Sequence, residues 1–276
     1  MRWGLLICAA LAVSSCAAPP PVELDLMSYN LRYGTALDGA NSWPFRSATA
    51  IAVIAEARPD VVGLQEVLSF QRVALTETLE GYAAFGAGRQ ADGSGEQCTI
   101  LYLRERLRPV DGGTFWLSDE PAQAGSKGWD ASLPRICTWI VLETADGARF
   151  TVFNTHFDHR GPRARLESAR LLARRVAQRA DPGPAFVIGD LNAGEDSAPL
   201  EVLLSELVDT FRAAHPEARE VGTAHGFNGR TDGAKIDYVL TTAGVETLGA
   251  RIVRERRDGR LPSDHFPVTA RVRLPR

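Results

Sequence analysis

Short apolar runs recur along this chain, and one after another they end in residues that bind cations or phosphate. The series is Ser28-Tyr29-Asn30, Leu64-Gln65-Glu66, Asn154-Thr155-His156, Gly189-Asp190-Leu191-Asn192, Ile236-Asp237-Tyr238 and Ser263-Asp264-His265. In α/β proteins, ligand sites gather where rigid strands hand over to exposed loops. The pattern therefore predicts a single site assembled from six separate strand ends.

The elements between these runs fit an alternating α/β chain. Strands are predicted at Leu24–Tyr29, Val61–Leu64, Thr99–Leu103, Gly113–Leu117, Ile136–Leu142, Phe150–Thr155, Ala185–Ile188, Ile236–Leu240, Thr247–Arg254 and Phe266–Val272. Helices are predicted at Arg46–Ala57, stopped by Pro59, and from a Ser69 cap to Leu79. Further helices are predicted at Arg163–Arg179 and around Leu200–Leu207. The arginines of the third helix form a solvated face opposite Leu166, Ala169, Leu172, Ala173 and Val176. There is no repeat, low-complexity tract or linker, so residues 23–276 are predicted to form one domain.

The first residues are read separately. Arg2, the apolar run Leu5 to Val13 and the small residues Val13-Ser14-Ser15 before Cys16 resemble an export signal ending in a bacterial lipobox. Residues 1–16 are then a signal segment and residues 17–22 a short tether, with Cys16 the lipidation site. An ordinary secretory signal cut near Ala17-Ala18 is the alternative. Either reading places the mature protein outside the cytoplasm, in the bacterial periplasm or on the outer membrane. Cys98 and Cys137 are the cysteines left beyond this segment, and they form either one disulfide or two buried thiols.

The chemistry of the strand-end residues narrows the function. Oxygen donors dominate, which favours Mg²⁺, with Mn²⁺ or Ca²⁺ as alternatives, over zinc. Glu66 follows a buried-looking Val-Val-Gly-Leu run, where an unpaired carboxylate is costly, so it reads as a cation ligand. Asp190 and Asn192 put an acid and an amide two residues apart after Gly189; an Asx-turn is the alternative reading. Asp237 either orients the imidazole of His265 or is a surface charge near Lys235. Asn30 alone would read as a turn former.

Taken together and in this order, the six motifs resemble the endonuclease/exonuclease/phosphatase superfamily over about Leu24 to Val272. The resemblance implies a four-layer α/β sandwich, with two mixed β-sheets packed face to face and helices outside. It implies a metal site of Asn30, Glu66 and Asp264. It gives Asp190 the attacking water, Asn192 the phosphoryl group and His156 the phosphate near the leaving group. Asp237 and His265 become the carboxylate–imidazole pair beside the scissile phosphate. The implied activity is divalent-metal-dependent hydrolysis of phosphoric esters.

The substrate is less constrained. Arg46 and Arg135 could each grip phosphate through a bidentate fork, Arg46 equally well being half of a surface salt bridge. His159 and His225 suit a pocket or a structural role, while Trp43, Trp116 and Trp129 read as packing residues. A net charge of −3 over 276 residues gives no general nucleic-acid footprint. The expected substrate is a small phosphoester, a sugar phosphate or a phospholipid head group, handled by a monomer that meets the membrane through its N-terminal lipid. An extracellular or periplasmic nuclease is the alternative within hydrolases. A non-catalytic calcium-binding surface protein is the alternative outside them.

Overall fold

The computed structural model describes residues 21–257 and 259–275, and the proposed signal segment with Cys16 lies outside them. Among the described residues, twelve strands form two six-stranded sheets. The first sheet contains β1 (Glu23–Asn30), β2 (Val61–Val67), β3 (Tyr82–Phe85), β4 (Gln97–Leu103), β11 (Glu246–Ile252) and β12 (Val268–Arg273), in the order β11-β12-β1-β2-β4-β3. The second contains β5 (Leu107–Trp116), β6 (Ile136–Thr144), β7 (Arg149–His156), β8 (Ala185–Asp190), β9 (Leu207–Asp209) and β10 (Asp237–Thr242), in the order β5-β6-β7-β8-β10-β9. Both sheets are mixed: β1 runs parallel to β2 and β7 to β8, and the remaining pairs are antiparallel.

Period-two alternation along these strands builds four layers. Leu24, Leu26, Ile140, Phe150, Val152, Phe186, Ile188 and Val239 point between the sheets and form the central core. The intervening residues face outward. Met27, Tyr29 and Val62 pack under α1 (Trp43–Ala57) and α2 (Ser69–Thr78). Phe153, Val187, Tyr238 and Leu240 pack under α3 (Pro162–Ala177) and α4 (Ala198–Leu204). The predicted four-layer sandwich is the fold observed. No helix among the described residues is long and apolar enough to cross a membrane.

Several boundaries differ from expectation for identifiable reasons. α1 starts at Trp43 rather than Arg46, with Pro44 in its first turn, where a missing N–H costs nothing. Ser69 opens α2 instead of capping it; the Gln71 side chain accepts from the Leu68 N–H at 3.1 Å. β5 extends back to Leu107, through Pro109 and an irregularity between Pro109 and Asp111, which an edge strand tolerates. The last predicted helix stops at Leu204, and β9 and the short α5 (Thr210–Ala214) follow.

Cys98 and Cys137 are both free thiols. Cys137 packs in the layer beneath α3, whereas the Cys98 thiol donates to the Ile136 carbonyl from the other side of β6. The backbone of β6 separates them, so the disulfide alternative does not hold. Burial pushes the Cys98 thiol up to about 12 and the Cys137 thiol well above its ordinary value.

Candidate functional site

Hydrogen-bond register sets out the centre of the site. On the second sheet, Asp190 at the end of β8 pairs across the ladder with His156 on β7 and with Asp237 on β10. On the first sheet, Asn30 closes β1 beside Gln65, one residue before Glu66. Not all of these are strand ends. Asp237 opens β10, and Asp264 and His265 lie in the loop before β12. These strands enter the same edge from the opposite direction, so the six motifs still meet.

The two sheets join through side chains. Asn30 Nδ2 donates to Asp190 Oδ2 at 3.0 Å and to Glu66 Oε1 at 3.1 Å. Its Oδ1 accepts from the Arg32 N–H at 2.9 Å. Glu66 has φ 62° at an irregularity between Leu64 and Val67, a left-handed conformation that a non-glycine residue holds only when its surroundings enforce it. Asn154 supplies part of that enforcement, donating to the Leu64 and Thr99 carbonyls at 2.9 Å each and accepting from Gln65 Nε2 at 2.8 Å. Asn192, also left-handed at φ 47°, donates its backbone N–H to Asp190 Oδ1 at 2.9 Å. The Asx-turn and the acid–amide pair are therefore one structure.

The imidazoles are assigned by their partners. Asn192 Nδ2 lies 3.0 Å from the Phe157 carbonyl, which can only accept, and 3.0 Å from His156 Nε2. The amide nitrogen thus donates to both, and the His156 ring carries its proton on Nδ1. Burial, followed by the Arg135 charge, holds His156 well below its ordinary value. His265 is the opposite case, with Nδ1 lying 2.9 Å from Asp237 Oδ2. Burial alone would lower its pKa, but the carboxylates of Asp237, Asp190 and Asp264 raise it well above the ordinary histidine value. His265 is accordingly an imidazolium with Nε2–H available.

Burial, reinforced by Asp237, pushes the Asp190 carboxyl up to about 7. Burial also raises Asp264, with Glu66 adding to the effect and His265, Arg32 and Arg46 opposing it. Arg32 Nη1 is 3.6 Å from Asp264 Oδ2, while Glu66 accepts from the Tyr33 N–H at 3.0 Å. Asp237 Oδ1 is buried without a hydrogen-bond partner among the described residues. Asp190, Asp237 and His265 offer ligand atoms within 4.8 Å of one another. A hydrogen bond already joins two of the three, so the set reads better as a carboxylate–imidazole pair beside a third acid. The hard oxygen donors of Glu66 and Asp264, with Asn30 Oδ1, fit a divalent cation.

The three substrate-side residues expected from sequence part company. Arg46 is 1% exposed, and neither expectation for it holds. Its guanidinium donates to the carbonyls of Asn41, Leu31, Pro262 and Arg32 at 2.8–3.1 Å and lies over the Trp43 and Phe227 rings. It ties the segment after Asn30 to the segment before Asp264, spending four of its five N–H donors on backbone carbonyls from a buried position. His225 is also buried and stacks on Phe266 at 4.0 Å, its ring nitrogens unpartnered among the described residues. Burial, then the His265 charge, pulls it down to about 4. Arg135 borders Glu66 and His156 in a narrow cleft, together with Arg89 and Glu96.

Three supports were given no role from the sequence. Thr223 Oγ1 accepts from the Ile236 and Asp237 N–H groups at 3.0 and 3.2 Å. Ser263 Oγ donates to the Asn30 carbonyl at 2.7 Å. The Tyr238 hydroxyl lies 2.7 Å from the Lys235 carbonyl and 3.0 Å from that of Ala193, bracing the Asp237 and Asn192 segments together. Ser263 and Tyr238 stand inside two of the six motifs, the signal that could have found them, whereas Thr223 carries none.

Residues 27–265 match the family model described as Endonuclease/Exonuclease/phosphatase family. The chain belongs to this family. A family protein from Bacteroides thetaiotaomicron is similar to it at 31% identity and a TM-score of 0.86, over 92% of this chain and 96% of that one. The mannosyl-6-phosphatase of Bacteroides thetaiotaomicron is similar at 31% identity and a TM-score of 0.83, over 90% and 99%. The human Nocturnin catalytic domain, solved with bound sulfate, shares the fold at 18% identity and a TM-score of 0.72, over 91% and 94%. No curated protein matches the chain. Members of the family are phosphoesterase hydrolases and metal-dependent.

Proposed function

We propose that this protein is a divalent-metal-dependent phosphoric-ester hydrolase acting outside the cytoplasm, with a small phosphomonoester such as a sugar phosphate as its preferred substrate. The observation that carries the reading is the setting of Asp190. It is a buried carboxylate poised near neutrality, fixed by the Asn30 amide and the Asn192 N–H, with His156 Nε2 at 3.4 Å and His265 Nδ1 at 3.9 Å. A group in that state can take a proton from water near neutral pH. The 31% identity to a mannosyl-6-phosphatase supports the monoester and sugar components.

Glu66, Asp264 and Asn30 would hold Mg²⁺, with Mn²⁺ or Ca²⁺ as substitutes. When bound, such an ion neutralises phosphoryl charge and stabilises the departing oxygen. The remaining work falls to this chain. Asp190 orients and deprotonates the attacking water. His265, kept cationic by Asp237, donates from Nε2 to a phosphoryl oxygen as charge accumulates there. Asn192 spends both amide protons on His156 and the Phe157 carbonyl, so it serves by fixing the His156 ring. Lipidation at Cys16 anchors the enzyme to the membrane, and a Cys16→Ala variant should leave the membrane fraction for the soluble one.

The test is a panel of phosphate esters supplied to the mature protein with and without Mg²⁺, using Asp190→Ala as control. The expected result is Mg²⁺-dependent phosphate release, fastest from sugar phosphates and lost in the variant. Preference for nucleic acid would identify a nuclease instead. No turnover with Mg²⁺ or Mn²⁺ on any ester would leave the non-catalytic calcium-binding reading.

A further inference from the structure

We propose that His159 is a specificity-determining donor that binds a hydroxyl of the leaving alcohol, aimed from below by Arg135 and Asp158. The inference rests on the phosphomonoesterase reading above and adds what the enzyme recognises beyond the phosphate.

The base of this device is buried. Asp158 is 1% exposed and accepts from five donors. Oδ2 takes Ser132 Oγ at 2.8 Å, the Leu133 N–H at 3.3 Å and Arg135 Nε at 3.4 Å. Oδ1 takes the N–H groups of Arg160 at 3.0 Å and Gly161 at 2.8 Å. One carboxylate thus binds the segment before β6 to the turn after β7. Burial opposes its charge, but these hydrogen bonds hold it well below the usual carboxylate range. Asp158 is therefore ionised, and it neutralises the buried Arg135.

Arg135 then determines the state of His159. Its Nη2 lies 2.9 Å from His159 Nδ1. A guanidinium only donates and does not lose its proton in proteins, so His159 Nδ1 must accept. The ring is neutral, with its proton on Nε2. His159 itself is exposed, and the adjacent Arg135 charge helps keep it neutral after burial of the ring's inner edge. An exposed side chain has been given one tautomer and one orientation from beneath.

The direction and charge of this wall indicate what it suits. Arg135 borders Glu66 and His156 in one cleft, and the His159 ring it holds stands next to that cleft. The wall carries two arginines, but each has a carboxylate partner: Arg135 with Asp158, and Arg89 with Glu96 at 2.7 Å. Neutralised in this way, it offers little attraction to a second phosphate. It does present fixed hydrogen-bonding groups beside the reaction centre, which suits a neutral polyol. A group placed to bond a substrate hydroxyl discriminates against analogues lacking that hydroxyl, because its own bond is then left unmade.

The experiment compares kcat/KM for a hexose 6-phosphate and for phenyl phosphate, whose leaving group has no further hydroxyl, in wild type, His159→Ala and His159→Gln. We expect His159→Ala to lower kcat/KM for the hexose phosphate about 10-fold, mainly through KM, as loss of a single hydrogen bond does. Phenyl phosphate should change by less than about 2-fold. His159→Gln, which retains an N–H donor, should recover part of the loss. Equal losses on both esters would assign His159 to the general scaffold, and no loss on either would remove it from substrate binding; both overturn the inference. Wild type inactive on both esters would instead refute the phosphomonoesterase reading itself.

Discussion

The two halves of the site are built on opposite electrostatic terms. On the second sheet, Asp237 is matched by the His265 imidazolium, His156 by the Asn192 amide, and Asp190 by Asn30 across the sheet boundary. On the first sheet, Glu66 adds its negative field to the buried Asp264, and Arg32 Nη1 lies 3.6 Å from Asp264 Oδ2. The second-sheet acids each meet a hydrogen-bonding partner, drawn from both sheets, whereas Glu66 and Asp264 stand as two acids side by side in the electrostatics of the site. On the proposed function, the difference separates two duties: Glu66 and Asp264 would hold a cation, while Asp190 and the Asp237–His265 pair would hold and move protons.

The largest effect should come from the residue where the halves touch. Asp190→Asn keeps the shape but removes the proton acceptor, so kcat should fall by about 10³-fold or more. The melting temperature should hold or rise, because the variant relieves like-charge contact with Asp237. Retained activity within tenfold of wild type, measured by phosphate release, would break the division of duties.

Arg46 tests whether the first half depends on its buried brace. Arg46→Met strands four carbonyls and should cost about 3 kcal/mol, lowering the melting temperature by roughly 6–12 °C in a thermal scan. Glu66→Gln probes cation holding alone. The Mg²⁺ concentration giving half-maximal activity should rise by about 10–100-fold, and the thermal stabilisation produced by added Mg²⁺ should shrink.

The smallest effect is a pH dependence in the second half, measured with chelator present. His265 has a folded pKa raised above its unfolded value. Its pairing with Asp237 therefore contributes stability that is complete below about pH 6.5 and lost as pH rises through the folded pKa. The melting-temperature gap between wild type and Asp237→Asn should be widest at or below that pH and narrow above it. A gap independent of pH would mean that the pair is not charged.

Much of the fold was legible because the long strands alternate strictly and the best helix carries one apolar face. β3 was missed because Tyr-Ala-Ala-Phe is too short and alanine-rich to show a strand pattern. β9 and α5 were missed because three and five residues cannot display a period. The eight residues that the structure brings together were legible through the six motifs taken in order and the family they resemble, since each alone also fits a turn or a surface role. Arg46 misled because a buried arginine bonded to carbonyls has the same sequence appearance as a surface one. Asp158 was hidden for a related reason: three of its five donors are backbone N–H groups, which leave no trace in residue identity.

The measurement that bears most directly on the account is phosphate release from a hexose 6-phosphate by chelator-stripped protein, before and after Mg²⁺ is restored. The stripped protein should release none, added Mg²⁺ should restore release in wild type, and Asp190→Asn should stay inactive. Release that persists undiminished in the stripped protein, or that Mg²⁺ restores equally well in Asp190→Asn, would contradict it.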